Sequence, residues 1–294
     1  MAQSTVKAPV TIHVGAIPSE VAGELFYGID MGFFKKAGLD VDIQFFNNGG
    51  AIAAAVASGA LDLGLSDLMS VINAHAHGLP FVYAAPGLLS TIKPPTFGLL
   101  IPPNSPIHEA KDFDGKTVAV SGLRNIPQIA ASAWIDANGG DSSTVSYVEI
   151  PFPAQPAALA AGRVDGISEV EPFFGAAAKD NRVLYYGYSA ISKHFLLNLY
   201  VTTPDWAKAH PDLVTRFASV IHETAVWANK NHDQSGPMLA KYTNIPADTI
   251  AAMVRGHYAE ELTPAIMQPG IDASAKYNSF ATFPASTLLL PGTK

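Results

Sequence analysis

The sequence "AALAAGRVDGISEVEPF", residues 157–173, finishes on two carboxylates, Glu169 and Glu171, followed by a proline. A carboxylate accepts hydrogen bonds from an amine or an amide and pairs with an arginine. Either glutamate could therefore bind a ligand directly or hold Arg124 in place. We expect at most one of the two glutamates to face a binding site and the other to be solvated.

A second stretch, "AAVASGALDLGLSD", aligns with the first when Gly59 is placed on Gly162. Each copy predicts a helix that ends at a glycine, because glycine enters the left-handed conformation at little cost, followed by a short buried strand. The first copy finishes on Ser66 and Asp67. Both side chains could contact a ligand, and for Asp67 the competing interpretation is a helix cap. The alternative for the whole repeat is coincidence, since alanine-rich helices that end at glycine are common.

The sequence "SGLRNIPQ" places an arginine just before a predicted helix start, marked by Pro127. A guanidinium beside the free N–H groups of a helix start suits a carboxylate or a sulfonate, so we predict that Arg124 binds an anion. Ser121, Gly122 and Asn125 belong to the same loop and could add hydrogen-bond donors. The alternatives are a surface ion pair for Arg124 and ordinary helix capping for Ser121 and Asn125.

Five more candidate ligand-binding residues follow predicted strands at other points of the chain: Pro18, Ser19, Asn48, Gly49 and Phe152. Ligands of open α/β sheets bind beyond the carboxyl ends of the strands, where such loops converge. Phe152 could form the wall of a pocket for an aromatic ligand, and core packing is its alternative role.

The elements that would position these residues alternate along the chain. Residues 10–15 and 39–46 predict strands, residues 21–37 predict a helix that Gly38 ends, and the first repeated copy follows. The order β-α-β-α-β favours a mainly parallel sheet with right-handed crossovers.

The same order returns after "IPPNSP", residues 101–106, which holds too many prolines for a helix or a central strand. We therefore predict an α/β protein of two lobes, each a mainly parallel sheet flanked by helices. Lobe I would comprise residues 9–102 and 204–294, and lobe II residues 103–203. The two predicted hinge segments are "IPPNSP" and "YVTTP".

Composition excludes several classes of function. The chain has 294 residues, 48% hydrophobic and 15% charged, with a formal charge of -7 and no basic run, so nucleic acid is not an expected partner. It has no cysteine, which excludes thiolate metal sites and cysteine nucleophiles. The histidine spacing fits no metal motif, and no hydrolase elbow, phosphate-binding loop or dinucleotide motif occurs. We expect no metal, no cofactor and no catalysis.

The sequence contains no apolar run of the roughly 18 to 20 residues that a membrane span requires. Its start, "MAQSTVKAP", lacks the apolar centre of a signal peptide and is typical of a mature exported protein. We therefore expect a periplasmic protein whose signal peptide has been removed.

Several motifs together resemble the periplasmic solute-binding proteins of ABC importers, in the subgroup that takes sulfonates, taurine, nitrate and thiamine-related pyrimidines. The motifs are a G-x-x-P loop after the first strand, "GFFKKAGLDVDI", "ALDLGLSD", "DFDGKTVAV", "GRVDGISEVEP" and "HPDLVTRF". The resemblance implies the two-lobe periplasmic-binding-protein fold (type II-like), in which one small molecule is held between lobes that close on a hinge. It also implies a permease in the inner membrane as the partner, with a monomer as the expected state.

Members of that family often carry an aromatic residue just before the Glu-Pro pair, where this chain has Val170. The expected ligand is a small organic molecule, with an anion favoured by Arg124 and an amine or heterocycle favoured by the acidic strand ends. Two other functions stay open. One is an enzyme of the thiamine-pyrimidine type on the same scaffold, although that branch depends on cysteines. The other is a ligand-sensing receptor domain.

Overall fold

The computed structural model describes residues 9–90 and 95–289, so residues 1–8 and the end of the predicted lobe I, 290–294, lie outside it. The strands are β1 (Val10–Ala16), β2 (Leu39–Phe45), β3 (Leu63–Asp67), β4 (Val82–Pro86), β5 (Leu88–Leu89), β6 (Phe97–Ile101), β7 (Thr117–Val120), β8 (Ser146–Glu149), β9 (Gly166–Val170), β10 (Arg182–Tyr186), β11 (Asn198–Thr202) and β12 (His257–Tyr258). The helices are α1 (Gly23–Asp30), α2 (Phe33–Lys36), α3 (Gly49–Ala57), α4 (Leu68–Ala76), α5 (Ile126–Ala137), α6 (Gln155–Ala160), α7 (Phe173–Ala177), α8 (Pro204–Ala209), α9 (Pro211–Ala228), α10 (His232–Thr243), α11 (Ala247–Ala252) and α12 (Pro264–Asn278).

The strands form two five-stranded sheets, and each sheet defines one lobe. The sheet of lobe I has the order β2-β1-β3-β11-β4, and that of lobe II has the order β10-β6-β9-β7-β8. In each sheet three neighbouring strands are parallel, and the strand that arrives from the other lobe pairs antiparallel. A small third sheet pairs β5 with β12.

The hydrophobic pattern explains why these segments adopt these elements. Strand β1 alternates at its start, so that Ile12 and Val14 are buried while Thr11 and His13 are exposed. Helix α9 buries residues three and four apart, among them Leu213, Phe217 and Ile221. Its apolar stripe packs on α1 and β4, which attaches the C-terminal part of the chain to lobe I.

The repeated unit occurs once in each lobe, as α3–β3 and α6–β9. Gly59 and Gly162 both have a positive φ, 78° and 66°, in the turn after the helix. The aspartate three residues after each glycine accepts one hydrogen bond from the backbone of the neighbouring parallel strand and donates another to it. Asp62 accepts a hydrogen bond from the His13 amide at 2.8 Å and donates its own amide to the same residue's carbonyl. Asp165 makes the same pair of bonds to Thr117.

The helix predicted over residues 21–37 is interrupted. Helix α1 ends at Asp30 and α2 begins at Phe33, with Gly32 at φ 70° between them. The left-handed glycine reorients the chain, so the apolar spacing that suggested one helix serves two short ones.

The predicted lobe boundaries fall one strand too late at both crossings. Strand β6, assigned to lobe I, pairs in the sheet of lobe II, and β11, assigned to lobe II, pairs in the sheet of lobe I. The crossings therefore lie between residues 90 and 96, of which 91–94 are not described, and between residues 187 and 197. "IPPNSP" lies within lobe II and "YVTTP" within lobe I, because each proline segment follows the crossing strand rather than forming the crossing.

Candidate ligand-binding site

A cavity lies between the two lobes, at the carboxyl ends of their parallel strands. It holds about 650 Å³ of empty space, counting its open mouth. Both lobes line it, as expected where two such sheet edges face each other. Eight of the residues predicted from sequence are among its lining: Ser19, Asn48, Gly49, Asp67, Ser121, Asn125, Phe152 and Glu171.

The other five predicted residues lie elsewhere: Pro18, Ser66, Gly122, Arg124 and Glu169. Pro18 is half-buried beside Ser19. Gly122 lines a neighbouring groove at the mouth of the cleft, together with Glu149. Ser66 is buried and donates its hydroxyl hydrogen to the carbonyl of Gly49 at 2.8 Å, so it supports the loop that carries Asn48.

Arg124 does not line the cavity, contrary to the prediction. Its side chain is exposed, its φ is 63°, and its amide donates to Gln128 Oε1 at 2.6 Å. The left-handed turn places the guanidinium outside the cleft, and Asn125 instead caps α5 by accepting from the amide of Gln128.

The two glutamates have different environments. Glu171 lines the cavity, whereas Glu169 is fully buried inside lobe II and its two oxygens have no hydrogen-bond partner among the described residues. Burial raises the pKa of Glu169 well above the ordinary value for a glutamate. The expectation that the glutamate outside the site would be solvated is therefore wrong, because the strand that carries Glu169 is covered on both faces.

Three hydrogen-bonded side chains at the cavity hold helix starts. Asn48 accepts from the amide of Ala51 in α3, and Asp67 accepts from the amide of Ser70 in α4, as Asn125 does in α5. The polar residues that end the strands thus accept hydrogen bonds from some of the N–H groups at the helix starts. Those N–H groups are therefore no longer free to bind an anion.

Two of these side chains also bind across the cleft. Asp67 Oδ1 in lobe I accepts from the amide of Ile126 in lobe II at 3.3 Å. Asn48 Nδ2 in lobe I donates to Glu149 Oε1 in lobe II at 3.1 Å. The two lobes are therefore in contact around the cavity, and the structure shows the closed arrangement.

Glu20 also lines the cavity, although the acidic candidates predicted from sequence were Asp67, Glu169 and Glu171. Its carboxylate is buried, and Arg255 Nε donates to Oε1 at 3.0 Å and to Oε2 at 3.1 Å. The amide of Gly256 also donates to Oε1. Arg255 also donates to the Tyr27 hydroxyl and the Ser235 hydroxyl. Burial raises the pKa of Glu20, and the Arg255 charge opposes that shift. The partners stand 235 residues apart, so no local pattern could have paired them.

The charged side chains of the cavity are all acidic. Glu20, Asp67 and Glu171 line it, and no Lys, Arg or His side chain belongs to the lining among the described residues. Burial raises the pKa of Asp67 and of Glu171, while the backbone amides that bind each carboxylate oppose the shift. Such a lining favours ligands that donate hydrogen bonds or carry positive charge.

The apolar part of the lining comes from both lobes and from the crossing segments. Phe152 stacks on Phe173, with ring centroids 5.8 Å apart, and Tyr188 stacks on Phe97 at 4.8 Å. Leu88, Thr96, Tyr188, Leu197 and Asn198 line the cavity and were all missed from sequence. They were missed because the crossings were predicted elsewhere, so these segments were not expected at the cleft.

Ser19 has an unused polar group at the cavity. Its side chain is buried, and its Oγ has no hydrogen-bond partner among the described residues. A buried hydroxyl without a partner costs free energy, so it is a ready contact for a bound molecule.

No three histidine, aspartate or glutamate side chains come together to hold a metal ion within residues 9–90 and 95–289. Among the helices of the same ranges, none has the length and apolarity required to cross a bilayer.

The sequence matches the family model described as "NMT1/THI5 like" over residues 20–235, well over half of the chain. The chain belongs to the NMT1/THI5-like family. The match includes both repeated units and all the cavity residues discussed above except Ser19, with Arg255 beyond its end.

Two curated relatives of this family member are binding proteins. The formylaminopyrimidine-binding protein of Halalkalibacterium halodurans is 30% identical over 158 residues, which cover 54% of this chain and 46% of that protein. The chain thus aligns with less than half the length of that relative. The taurine-binding periplasmic protein of Escherichia coli is 25% identical over 267 residues, which cover 86% of this chain and 78% of that protein.

The fold of this family member is that of the periplasmic binding proteins. The alkanesulfonate-binding protein SsuA from Xanthomonas axonopodis pv. citri, solved with bound MOPS, superposes with a TM-score of 0.79 at 15% identity, covering 97% of this chain and 99% of that one. This confirms the predicted fold class of two α/β lobes. Each sheet is mixed rather than mainly parallel, with two parallel and two antiparallel pairs of neighbouring strands, because the strand that arrives from the other lobe pairs antiparallel on both sides.

Proposed function

We propose that this protein is the solute-binding component of an ABC importer, which holds one small molecule between its lobes and presents the closed form to a permease. The observation that carries the proposal is the cavity itself. It is lined by both lobes, lies at the strand ends, and is closed by hydrogen bonds of Asp67 and Asn48 across the cleft. The names of the two curated relatives, both binding proteins, support the same role.

The ligand we propose is a nitrogen heterocycle or amine that donates hydrogen bonds, rather than a sulfonate or nitrate. The support is the charge of the lining, where Glu20, Asp67 and Glu171 stand without a cationic side chain among the described residues. Phe152 and Tyr188 supply aromatic surface for a flat ring. Arg124, the residue that favoured an anion, lies outside the cavity.

The mechanism is population shift. A ligand that contacts Glu20 or Ser19 in lobe I and Glu171 or Phe152 in lobe II binds the closed arrangement better than the open one. Closure then depends on the differential contacts, and a ligand that contacted one lobe alone would not shift the equilibrium. The described crossing segment between residues 187 and 197 would serve as part of the hinge.

We propose binding without chemical change. The charged side chains of the lining are held by backbone amides or by Arg255, and a nucleophile with an adjacent base is not among the described lining residues. The supporting comparison is that both curated relatives are named as binding proteins. The periplasm is the proposed location and a monomer the proposed state, which light scattering after gel filtration would test.

The test is thermal unfolding with a panel of probes: 4-amino-5-aminomethyl-2-methylpyrimidine and its N-formyl derivative, taurine, butanesulfonate, MOPS and nitrate. A ligand that binds only the folded state adds about 2.7 kcal/mol at a hundredfold excess over Kd. We expect stabilisation by the aminopyrimidines, confirmed by calorimetric titration and by recovery of the probe unchanged in NMR spectra.

The matched variants are Phe152→Ala, which removes an aromatic wall, and Arg124→Ala, which lies outside the cavity. We expect the first to weaken binding at least tenfold and the second to leave it unchanged. Stabilisation by sulfonates that disappears in Arg124→Ala would overturn the proposed ligand class. A probe that is consumed over time would overturn the binding role.

A further inference from the structure

The three carboxyl groups of the cavity differ in how many donors hold them. Asp67 Oδ1 accepts from the amides of Ser70 and Ile126 at 3.0 and 3.3 Å. Glu20 has the Arg255 guanidinium and the amide of Gly256. Glu171 Oε2 accepts a single hydrogen bond within its own lobe, from the amide of Gly175 at 3.2 Å.

Two groups of the opposite lobe also act on the Glu171 carboxyl. The backbone amide of Val254 and the carboxylate of Glu20, both in lobe I, act on its pKa in opposite directions. Of the titratable side chains, Glu20, Asp67 and Tyr188 share the cavity with it. Arg255 stands behind Glu20, where four of its five N–H donors bind Glu20, His232, Tyr27 and Ser235. Glu171 is only 4% exposed in this arrangement.

Closure therefore has an electrostatic consequence for this residue. When the lobes separate, water reaches Glu171 and Glu20 moves away from it. When they close on an empty cavity, Glu171 loses its hydration, gains a hydrogen bond from the amide of Val254 and gains the Glu20 carboxylate as a neighbour, and the loss of hydration is the largest of these effects on its pKa. Glu20 keeps its partners in lobe I in both states, whereas Asp67 keeps the amide of Ser70 and loses that of Ile126 on opening.

We propose that Glu171 couples lobe closure to the occupant of the cavity by exchanging a proton. The empty cleft closes with a proton on Glu171, and a cationic ligand takes the place of that proton when it binds. The inference rests on the proposed function for the ligand, and the proton-linked closure of the empty protein does not depend on it.

The direction of the pH dependence follows from the causes named above. Burial and the Glu20 charge raise the pKa of Glu171 in the closed state, whereas the open state exposes it to water. Closure of the empty protein is therefore favoured at low pH and is lost as pH rises from about 4.5 through the closed-state pKa. A cationic probe binds more tightly as pH rises over the same window and releases up to one proton.

The experiment is small-angle X-ray scattering of the ligand-free protein across pH, with Glu171→Gln and the matched control Glu169→Gln. Glu169 is a buried glutamate two residues away that does not line the cavity. We expect the radius of gyration of the wild type to increase with pH, Glu171→Gln to stay compact at every pH, and Glu169→Gln to behave like the wild type. The glutamine keeps the shape of the protonated side chain, so it holds the closed state.

A second measurement does not depend on any variant folding. In protein labelled with ¹³C at the glutamate carboxyl carbon, the signal assigned to Glu171 should titrate above the ordinary range, and the cationic aminomethylpyrimidine should return it to an ionised chemical shift. Burial also raises the pKa of Glu24 and of Glu169, which do not line the cavity, and their signals should not respond to the probe. An unchanged radius across pH in the wild type, an opening of Glu171→Gln that follows the wild type, or compaction of Glu169→Gln at every pH would each overturn the proposal. Failure of every probe in the panel would instead count against the proposed function, since the scattering experiment uses no ligand.

Discussion

The two lobes contain the same helix–strand unit and complete it with different side chains. In lobe I, helix α3 places Ile52 over two glycines, since a Cβ on Gly64 would come within 2.4 Å of Ile52 Cγ2 and one on Gly15 within 2.9 Å. In lobe II, Ile167 occupies the position equivalent to Gly64, and the buried Gln155 occupies the position equivalent to Ile52. Gln155 donates to the carbonyl of Ile150 at 3.0 Å and accepts from the amide of Ser168 at 3.2 Å, so hydrogen bonds replace the apolar helix–strand contact of lobe I.

The last two positions of the two strands carry chemically different side chains. Ser66 and Glu169 are equivalent and both are buried, but Ser66 makes a hydrogen bond whereas Glu169 has no partner among the described residues. Asp67 and Val170 are equivalent, and both line the cavity. Lobe I therefore ends its strand on an acid that caps a helix, while lobe II places its acid one residue later, at Glu171. The comparison teaches that the repeat fixes where side chains point and leaves their chemistry free.

The largest expected effect comes from Ile167, which stands where lobe I has a glycine. Ile167→Ala should reduce the free energy of unfolding by about 2 to 5 kcal/mol, because it removes a fully buried side chain from the smaller core of lobe II. Urea denaturation of the protein, monitored by near-ultraviolet circular dichroism, measures this free energy of unfolding. The exposed Leu123→Ala is the control and should be nearly neutral. A loss below about 0.5 kcal/mol would mean that α6 and β9 are not packed as described.

An intermediate effect, with a pH dependence, is expected at Glu169. Because its pKa is raised in the folded state, the folded protein prefers the protonated form, and the wild type loses stability as pH rises above about 4.5, by up to about 1.4 kcal/mol per pH unit. Glu169→Gln removes this loss, so its stability relative to the wild type should increase with pH until the folded-state pKa is passed. Denaturation at several pH values measures the difference. A difference that stayed constant with pH would show that Glu169 is not buried as a neutral acid.

The smallest effect should be the one that the two lobes share. Asp62→Ala and Asp165→Ala each remove a carboxylate that accepts from an amide of the neighbouring parallel strand, at 2.8 Å in both cases. We expect each to cost about 1 to 2 kcal/mol of unfolding free energy, with the larger loss for Asp165 because its bond is less exposed. Losses that differed by several kcal/mol would contradict the equivalence of the two units.

The sequence predicted much of the local structure because its signals act over a few residues. Gly59 and Gly162 mark helix ends since other residues strain at positive φ, and both have it. The capping of α4 by Asp67, weighed as an alternative to ligand binding, is present. The loops after the parallel strands converge at the cavity, as the topology of open α/β sheets requires.

Arg124 illustrates what such local reasoning lacks. Its position before a helix suggested an anion site, but its left-handed backbone conformation turns the side chain outward. A positive φ is uncommon for residues other than glycine, so nothing in the sequence indicated it at an arginine. The same limit applies to Glu169, since its burial depends on strands and helices that cover it from both sides.

What the sequence by itself determined is the order of helices and strands, the repeated unit and the strand ends that can reach a ligand, because hydrophobic period, glycine stops and caps are short-range properties. What only the tertiary structure decided is which strands cross between the lobes and which charges meet. Strands β6 and β11 exchange sheets by antiparallel pairing with distant partners. Glu20 and Arg255 are brought together across 235 residues by the packing of the C-terminal helices on lobe I. Pairings over such distances depend on the whole fold, and for that reason the charge of the cavity could be read only from the folded chain.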